Sequence, residues 1–161
     1  MVDFSRRKFF TRKPIADAAV RLPWLLNPEQ FTDLCTQCGE CVKACETQII
    51  VKGDGGFPRV DFAIDECTFC YQCAEACPES LFKEESDTPW QAKADINEQC
   101  LAKQNVECRA CNDMCESMAI QFSYGVGRVA LPTLDHDKCN GCGACVAVCP
   151  TSSINVGNVT V

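Results

Sequence analysis

Cys67, Cys70, Cys73 and Cys77, followed by Pro78, read C-x2-C-x2-C-x3-C-P. That spacing suits a cubic 4Fe–4S cluster. A tight loop sets three thiolates around one face of the cube, and the fourth, about one helical turn on, faces away toward a neighbouring cluster. Cys139, Cys142, Cys145, Cys149 and Pro150 repeat the run. Cys35, Cys38, Cys41 and Cys45 keep the spacing, with Glu46 in place of the proline. Cys100, Cys108, Cys111 and Cys115 stretch the first gap over Leu101 to Glu107, and Glu116 replaces the proline. Cys100 thus sits on a longer arm. It is either a full ligand or a labile one whose loss leaves a three-iron centre. All sixteen cysteines of the 161 residues fall in these four runs.

A tenth of a chain as cysteine in a small secreted protein suggests a disulfide framework. Here the cysteines are bunched, and neighbours two residues apart cannot all pair with distant partners. Zinc ribbons also use C-x2-C pairs, but as two separated pairs rather than three cysteines on one loop with a fourth behind. The expected cofactors are therefore 4Fe–4S clusters: four, or three if the Cys100 run is defective. Nine Phe, two Trp and two Tyr supply little for a large apolar core, a deficit that small domains commonly meet with metal. The formal charge is −7, and each loaded cluster would add roughly −2. Such acidity disfavours nucleic acid. No apolar run approaches the roughly 18 residues of a membrane span. No nucleophile–base set, phosphate loop or dinucleotide fingerprint is present, so this chain is not expected to be an enzyme. His136, between Asp135 and Asp137, is expected in a solvated loop.

These ligands need short elements that curve closely. Gly39, Gly141, Gly143, Ala74 and Ala144 let the backbone approach the sulfurs. Ile49-Ile50-Val51, a turn over Gly53 to Gly56 and Pro58 to Phe62 read as strand–turn–strand. Ala119 to Phe122, Gly125-Val126-Gly127 and Val129 to Leu131 repeat the pattern, an internal duplication with a period of about 70 residues. The fold class expected is α+β: tandem bacterial-type 2x(4Fe–4S) ferredoxin-like units with short helices, small antiparallel hairpins and a cluster-stabilised core. The divisions expected are a basic N-terminal arm at 1–34, a first unit at 35–82, a linker at 83–99 and a second unit with a short tail at 100–161. Trp90, in that linker, is expected to pack locally. Residues 157–161 are expected as a loose end.

A glycine hairpin joins runs one and two, and another joins three and four, whereas only a charged stretch joins two and three. This favours sequential pairing. Cluster A takes Cys35, Cys38, Cys41 and Cys77; cluster B takes Cys67, Cys70, Cys73 and Cys45. Cluster C takes Cys100, Cys108, Cys111 and Cys149; cluster D takes Cys139, Cys142, Cys145 and Cys115. A nested pairing, one with four and two with three, is the alternative.

The arm carries Arg6, Arg7, Lys8, Arg12, Lys13 and Arg21 and no cysteine. Ser5 to Phe10 looks like the start of a twin-arginine signal, but Asp17, Arg21 and Pro23 break the apolar segment that should follow, so export is not expected. The segment reads either as a frayed tail or as a docking arm with Phe9, Phe10, Trp24 and Leu25 as apolar anchors.

Taken together, S-R-R at Ser5 to Arg7, C-x-F-C-Y-x-C-A-x-A-C-P-E-S-L-F from Cys67 to Phe82 and C-L-A-x-Q-x-V-E-C-R-x-C from Cys100 to Cys111 closely resemble the NapF family. C-x2-C-x2-C-x3-C-E from Cys35, C-E-x-M-A-I from Cys115 and C-N-G-C-G-A-C from Cys139 extend the match over nearly the whole chain. These are ferredoxin-type accessory proteins of periplasmic nitrate reductase. The resemblance implies a cytoplasmic protein that binds the unexported precursor of the nitrate reductase catalytic subunit and assists its maturation. A general soluble electron carrier between redox enzymes is the alternative.

Overall fold

The computed structural model describes residues 20–125, 127 and 129–158. Residues 1–19, with the basic cluster and Phe9 and Phe10, lie outside the described residues, as do Val126, Arg128 and 159–161.

The described helices are about one turn long, and four of the five carry a cysteine of a ligand loop. They are α1 (Phe31–Leu34), α2 (Glu40–Ala44), α3 (Gln72–Glu75), α4 (Ala110–Asp113) and α5 (Ala144–Ala147). The strands are β1 (Ile50–Lys52), β2 (Pro58–Val60), β3 (Ala92–Ile96), β4 (Ile120–Tyr124), β5 (Ala130–Leu134) and β6 (Ile154–Asn158). Each sheet is an antiparallel pair: β1 with β2, β4 with β5, and β3 with β6. The first two pairs are the hairpins that the glycine turns imply. Gly55 and Gly56 take φ of 67° and 83° there, a region glycine enters without steric cost. Isolated two-stranded ribbons and single helical turns are marginal in water, so these elements hold together through packing around the cysteine loops. Helices α2 and α3 pack on each other in the first unit, and α4 and α5 in the second.

Three stretches depart from expectation. Trp24 and Leu25, proposed as docking anchors, are core residues instead, at 3% and 5% exposed. The backbone of Trp24 bonds to Pro89 and Lys83, its indole N–H donates to the carbonyls of Glu85 and Asp87, and Leu25 bridges to Phe82. Val20, Leu22 and Phe31 join them in the first unit's core. The segment therefore straps runs one and two together, and its apolar residues were a sign of burial rather than of a partner.

Residues 83–99 are more than a polar connection. They contain β3, which pairs in register from Ala92 opposite Asn158 to Ile96 opposite Ile154. The alternation of Ala92, Ala94 and Ile96 with Lys93 and Asp95 is a period-2 pattern with one buried face, hidden by small alanines and flanking charge. The same pairing places Gly157 and Asn158 in a strand rather than a loose end.

The stretched gap of run three is compact. Ala102 is fully buried. The amide of Gln104 donates to Cys100 and that of Val106 to Leu101, and Lys103 Nζ reaches the Ile96 carbonyl at 2.7 Å and Glu98 at 2.8 Å. His136 is exposed in its loop.

Candidate metal centres

The loops that carry the cysteines curl through left-handed backbone. In run one Gln37 and Gly39 have φ of 56° and 79°; in run two Phe69 and Tyr71 have 56° and 64°; in run four Gly141 and Gly143 have 77° and 85°. This curl turns successive cysteines toward a common centre and aims amides at sulfur. Gln37 N–H donates to Cys35 Sγ at 3.4 Å, Ala94 N–H to Cys139 Sγ at 3.5 Å and Ser153 N–H to Cys149 Sγ at 3.2 Å.

The curled loops bring the thiols into four neighbourhoods. Cys35, Cys38, Cys41 and Cys77 line one pocket with Phe31, Leu81 and Phe82. Cys45, Cys67, Cys70 and Cys73 line another with Trp24, Ile50 and Tyr71. In the second unit Cys111 lies near Cys100, Cys108 and Cys149. Cys145 has Cys142 and Cys139, with Cys111 and Cys115 beyond.

Burial and mutual repulsion oppose ionisation of the innermost cysteines. Burial, then the Cys35, Cys38 and Cys77 charges, push the Cys41 thiol up to about 11. Burial with the surrounding thiols pushes Cys73 and Cys145 up to about 12, and Cys111 to about 11. Cys67, also about 12, is raised by burial against an amide bond from Phe69. Such groups ionise together only around a cationic core, which is what an iron–sulfur cube supplies. Among the described residues, no three His, Cys, Asp or Glu side chains close on a position for a single metal ion. Tetrahedral zinc, with bonds of about 2.3 Å, needs its sulfurs about 3.8 Å apart. The chemistry and apolar lining of these pockets fit a larger group with several cationic centres.

Hydroxyls stand behind three of the four rearmost cysteines. Cys45 Sγ meets Thr47 Oγ1 at 3.7 Å, Cys115 Sγ meets Ser117 Oγ at 3.6 Å and Cys149 Sγ meets Thr151 Oγ1 at 3.8 Å. Burial opposes ionisation of Cys149, but the Ser153 and Thr151 amides and hydroxyls overcome it and hold the thiol below its ordinary range. These C-x-S/T pairs are visible in the sequence once the fourth cysteine of each run is aligned. Cys77 has Glu79 at that place instead.

A pair of two-cluster units built in this way is a tandem 4Fe–4S dicluster protein of the ferredoxin type. Residues 34–82 and 106–153 each match a family model described as a 4Fe-4S dicluster domain. A ferredoxin-type protein NapF of Haemophilus influenzae is 44% identical over 97% of this chain and 92% of that protein. The NapF of Escherichia coli is 46% identical over 95% of this chain and 94% of its own length. A methylamine utilization ferredoxin-type protein, MauM of Methylorubrum extorquens, is 30% identical over 81% of this chain. The chain belongs to the NapF family of ferredoxin-type proteins. Among the described residues no helix is long and apolar enough to cross a membrane.

Proposed function

We propose that the chain holds four 4Fe–4S clusters. The thiolates of Cys35, Cys38, Cys41 and Cys77 hold one, and those of Cys67, Cys70, Cys73 and Cys45 the second. Cys100, Cys108, Cys111 and Cys149 hold the third, and Cys139, Cys142, Cys145 and Cys115 the fourth. A bound 4Fe–4S group takes up or gives back one electron. The chain's residues keep water from it, bond its sulfurs and fix its place.

With these groups the protein acts as a cytoplasmic maturation factor for periplasmic nitrate reductase, binding the precursor of its catalytic subunit and handling clusters or electrons for it. The observation that carries this reading is family membership over nearly the full length, including the stretched Cys100 run. Residues 1–19, basic and bearing Phe9 and Phe10, supply the contact with the precursor. The test is capture of that precursor by the full-length chain and by a form lacking residues 1–19. The reading expects capture by the full chain and at least a tenfold loss on deletion. Equal capture by both forms removes the arm from the account, and no capture by either removes the maturation role.

One observation favours a second reading, a general electron carrier. Cys38 and Cys70 are exposed, which suits exchange with a diffusing redox protein. Reduction by a generic ferredoxin reductase as fast as by nitrate reductase components would support it.

A further inference from the structure

Runs two and four align residue for residue, and the alignment exposes an asymmetry. Phe69 and Tyr71 in run two stand where run four has Gly141 and Gly143. All four positions take left-handed φ, which is costly for an aromatic residue and free for glycine. The space left by the two glycines is filled by Trp90 and Phe62, and Trp90 in turn meets Phe69.

Trp90 stacks edge-on against Phe69 at 5.8 Å and against Phe62 at 5.9 Å, and its indole N–H donates to the Asn140 carbonyl at 3.0 Å. A Cβ on Gly141 would strike the Ala92 carbonyl and the Trp90 indole nitrogen. A Cβ on Gly143 would penetrate the Phe62 ring. The Cys67 amide donates to the Cys142 carbonyl at 2.8 Å. Val146, on α5, packs into the cores of both units.

We propose that the glycine-bared face of run four is a docking surface for the first unit, with Phe62 and Trp90 as the positioning residues that seat it. Its consequence is that the Cys67 and Cys142 loops form the crossing point for electrons between units. The cysteine neighbourhoods then follow one line: the Cys41 site, the Cys73 site, the Cys145 site and the Cys111 site. Each exchange at the joint moves a single electron, oxidising one side by one and reducing the other by one, with no proton or bond change required. Outside donors and acceptors connect where cysteines of the line are exposed, at Cys38 and Cys70. This inference rests on the four-cluster reading.

The test uses the full-length, cluster-loaded protein. Iron content is measured first, so that a shortfall in the wild type counts against the four-cluster reading alone. Electron paramagnetic resonance is then recorded on the dithionite-reduced protein, with small-angle X-ray scattering on the same samples. The expected wild-type spectrum carries magnetic interaction that two independent cluster pairs cannot reproduce. Phe62→Ala, with iron retained, should reduce the spectrum to that of two independent pairs and enlarge the radius of gyration; Phe62→Tyr should restore both. If Phe62→Ala sheds iron, Trp90→Phe decides, because it keeps a ring and removes the bond to Asn140. It should weaken the interaction at full iron content. A wild-type spectrum that simulates as two isolated pairs, or deciding variants that leave it unchanged, overturns the inference.

Discussion

Single atoms around the sulfurs set how these sites hold charge. The Thr151 hydroxyl 3.8 Å from Cys149 Sγ and the Ser153 amide at 3.2 Å stabilise negative charge on that thiolate. Hydrogen bonds to sulfur raise a cluster's potential. Thr151→Val keeps the shape and removes one donor. It should cost about 1 kcal/mol of stabilisation of the reduced state, lowering one potential by roughly 40 mV. A redox titration followed by paramagnetic resonance reads this, and four unshifted potentials would show that the hydroxyl does not bear on a ligand. The cysteines themselves were legible from spacing alone, because ligand geometry requires that spacing. The hydroxyls were equally present in the sequence, but their role emerged only when the turn after each fourth cysteine placed them on its sulfur.

Elements in this protein are too short to stand alone, so what each one touches decides its worth. Trp24 is buried between the first unit's aromatic residues, 5.1 Å from the Tyr71 ring and 6.2 Å from Phe69. Replacing it with alanine should cost about 3–5 kcal/mol, the usual range for a buried aromatic residue. Thermal loss of the cluster absorbance in Trp24→Ala would occur well below the wild-type temperature; an unchanged midpoint would mean that the strap is dispensable. The loop from Leu101 to Glu107 is anchored by Ala102 and Lys103. Cys100→Ala and Cys139→Ala should accordingly each remove close to one cluster's iron. Retention of all iron in Cys100→Ala would identify that residue as no ligand.

The hairpins were readable because glycine turns and β-branched flanks announce them. Strand β3 was not, since Ala92 and Ala94 carry little hydrophobic signal and their partner, β6, lies about 60 residues away. Trp24 and Leu25 misled for a related reason. An apolar residue beside positive charge reads alike whether it meets another protein or its own core.

At the scale of the whole molecule, stability and loading are linked through protons. The buried thiols at about 11 to 12 stay neutral in the empty chain at neutral pH, yet must be thiolates in the loaded one. Loading therefore releases protons and strengthens as pH rises toward those values. For the empty fold the sign is opposite. A thiol whose folded value lies above the ordinary 9.0 contributes stability that is complete below that pH and is lost as pH climbs to about 12. Under a fixed chelator challenge, iron should leave faster at pH 6 than at pH 8, and equal rates would contradict the linkage. Because binding free energy is here folding free energy, complete iron removal should also abolish the near-ultraviolet dichroism of the aromatic cluster around Trp90.

The arrangement of sixteen thiols into four quartets is the claim on which the proposed function and the joint between units both depend. Iron and acid-labile sulfide per chain, measured on anaerobically prepared full-length protein, test it most directly. Four clusters require sixteen of each. Twelve would mean that one of the four sites, first of all that of Cys100, does not hold a cluster, and eight would contradict the account by leaving half of the quartets empty.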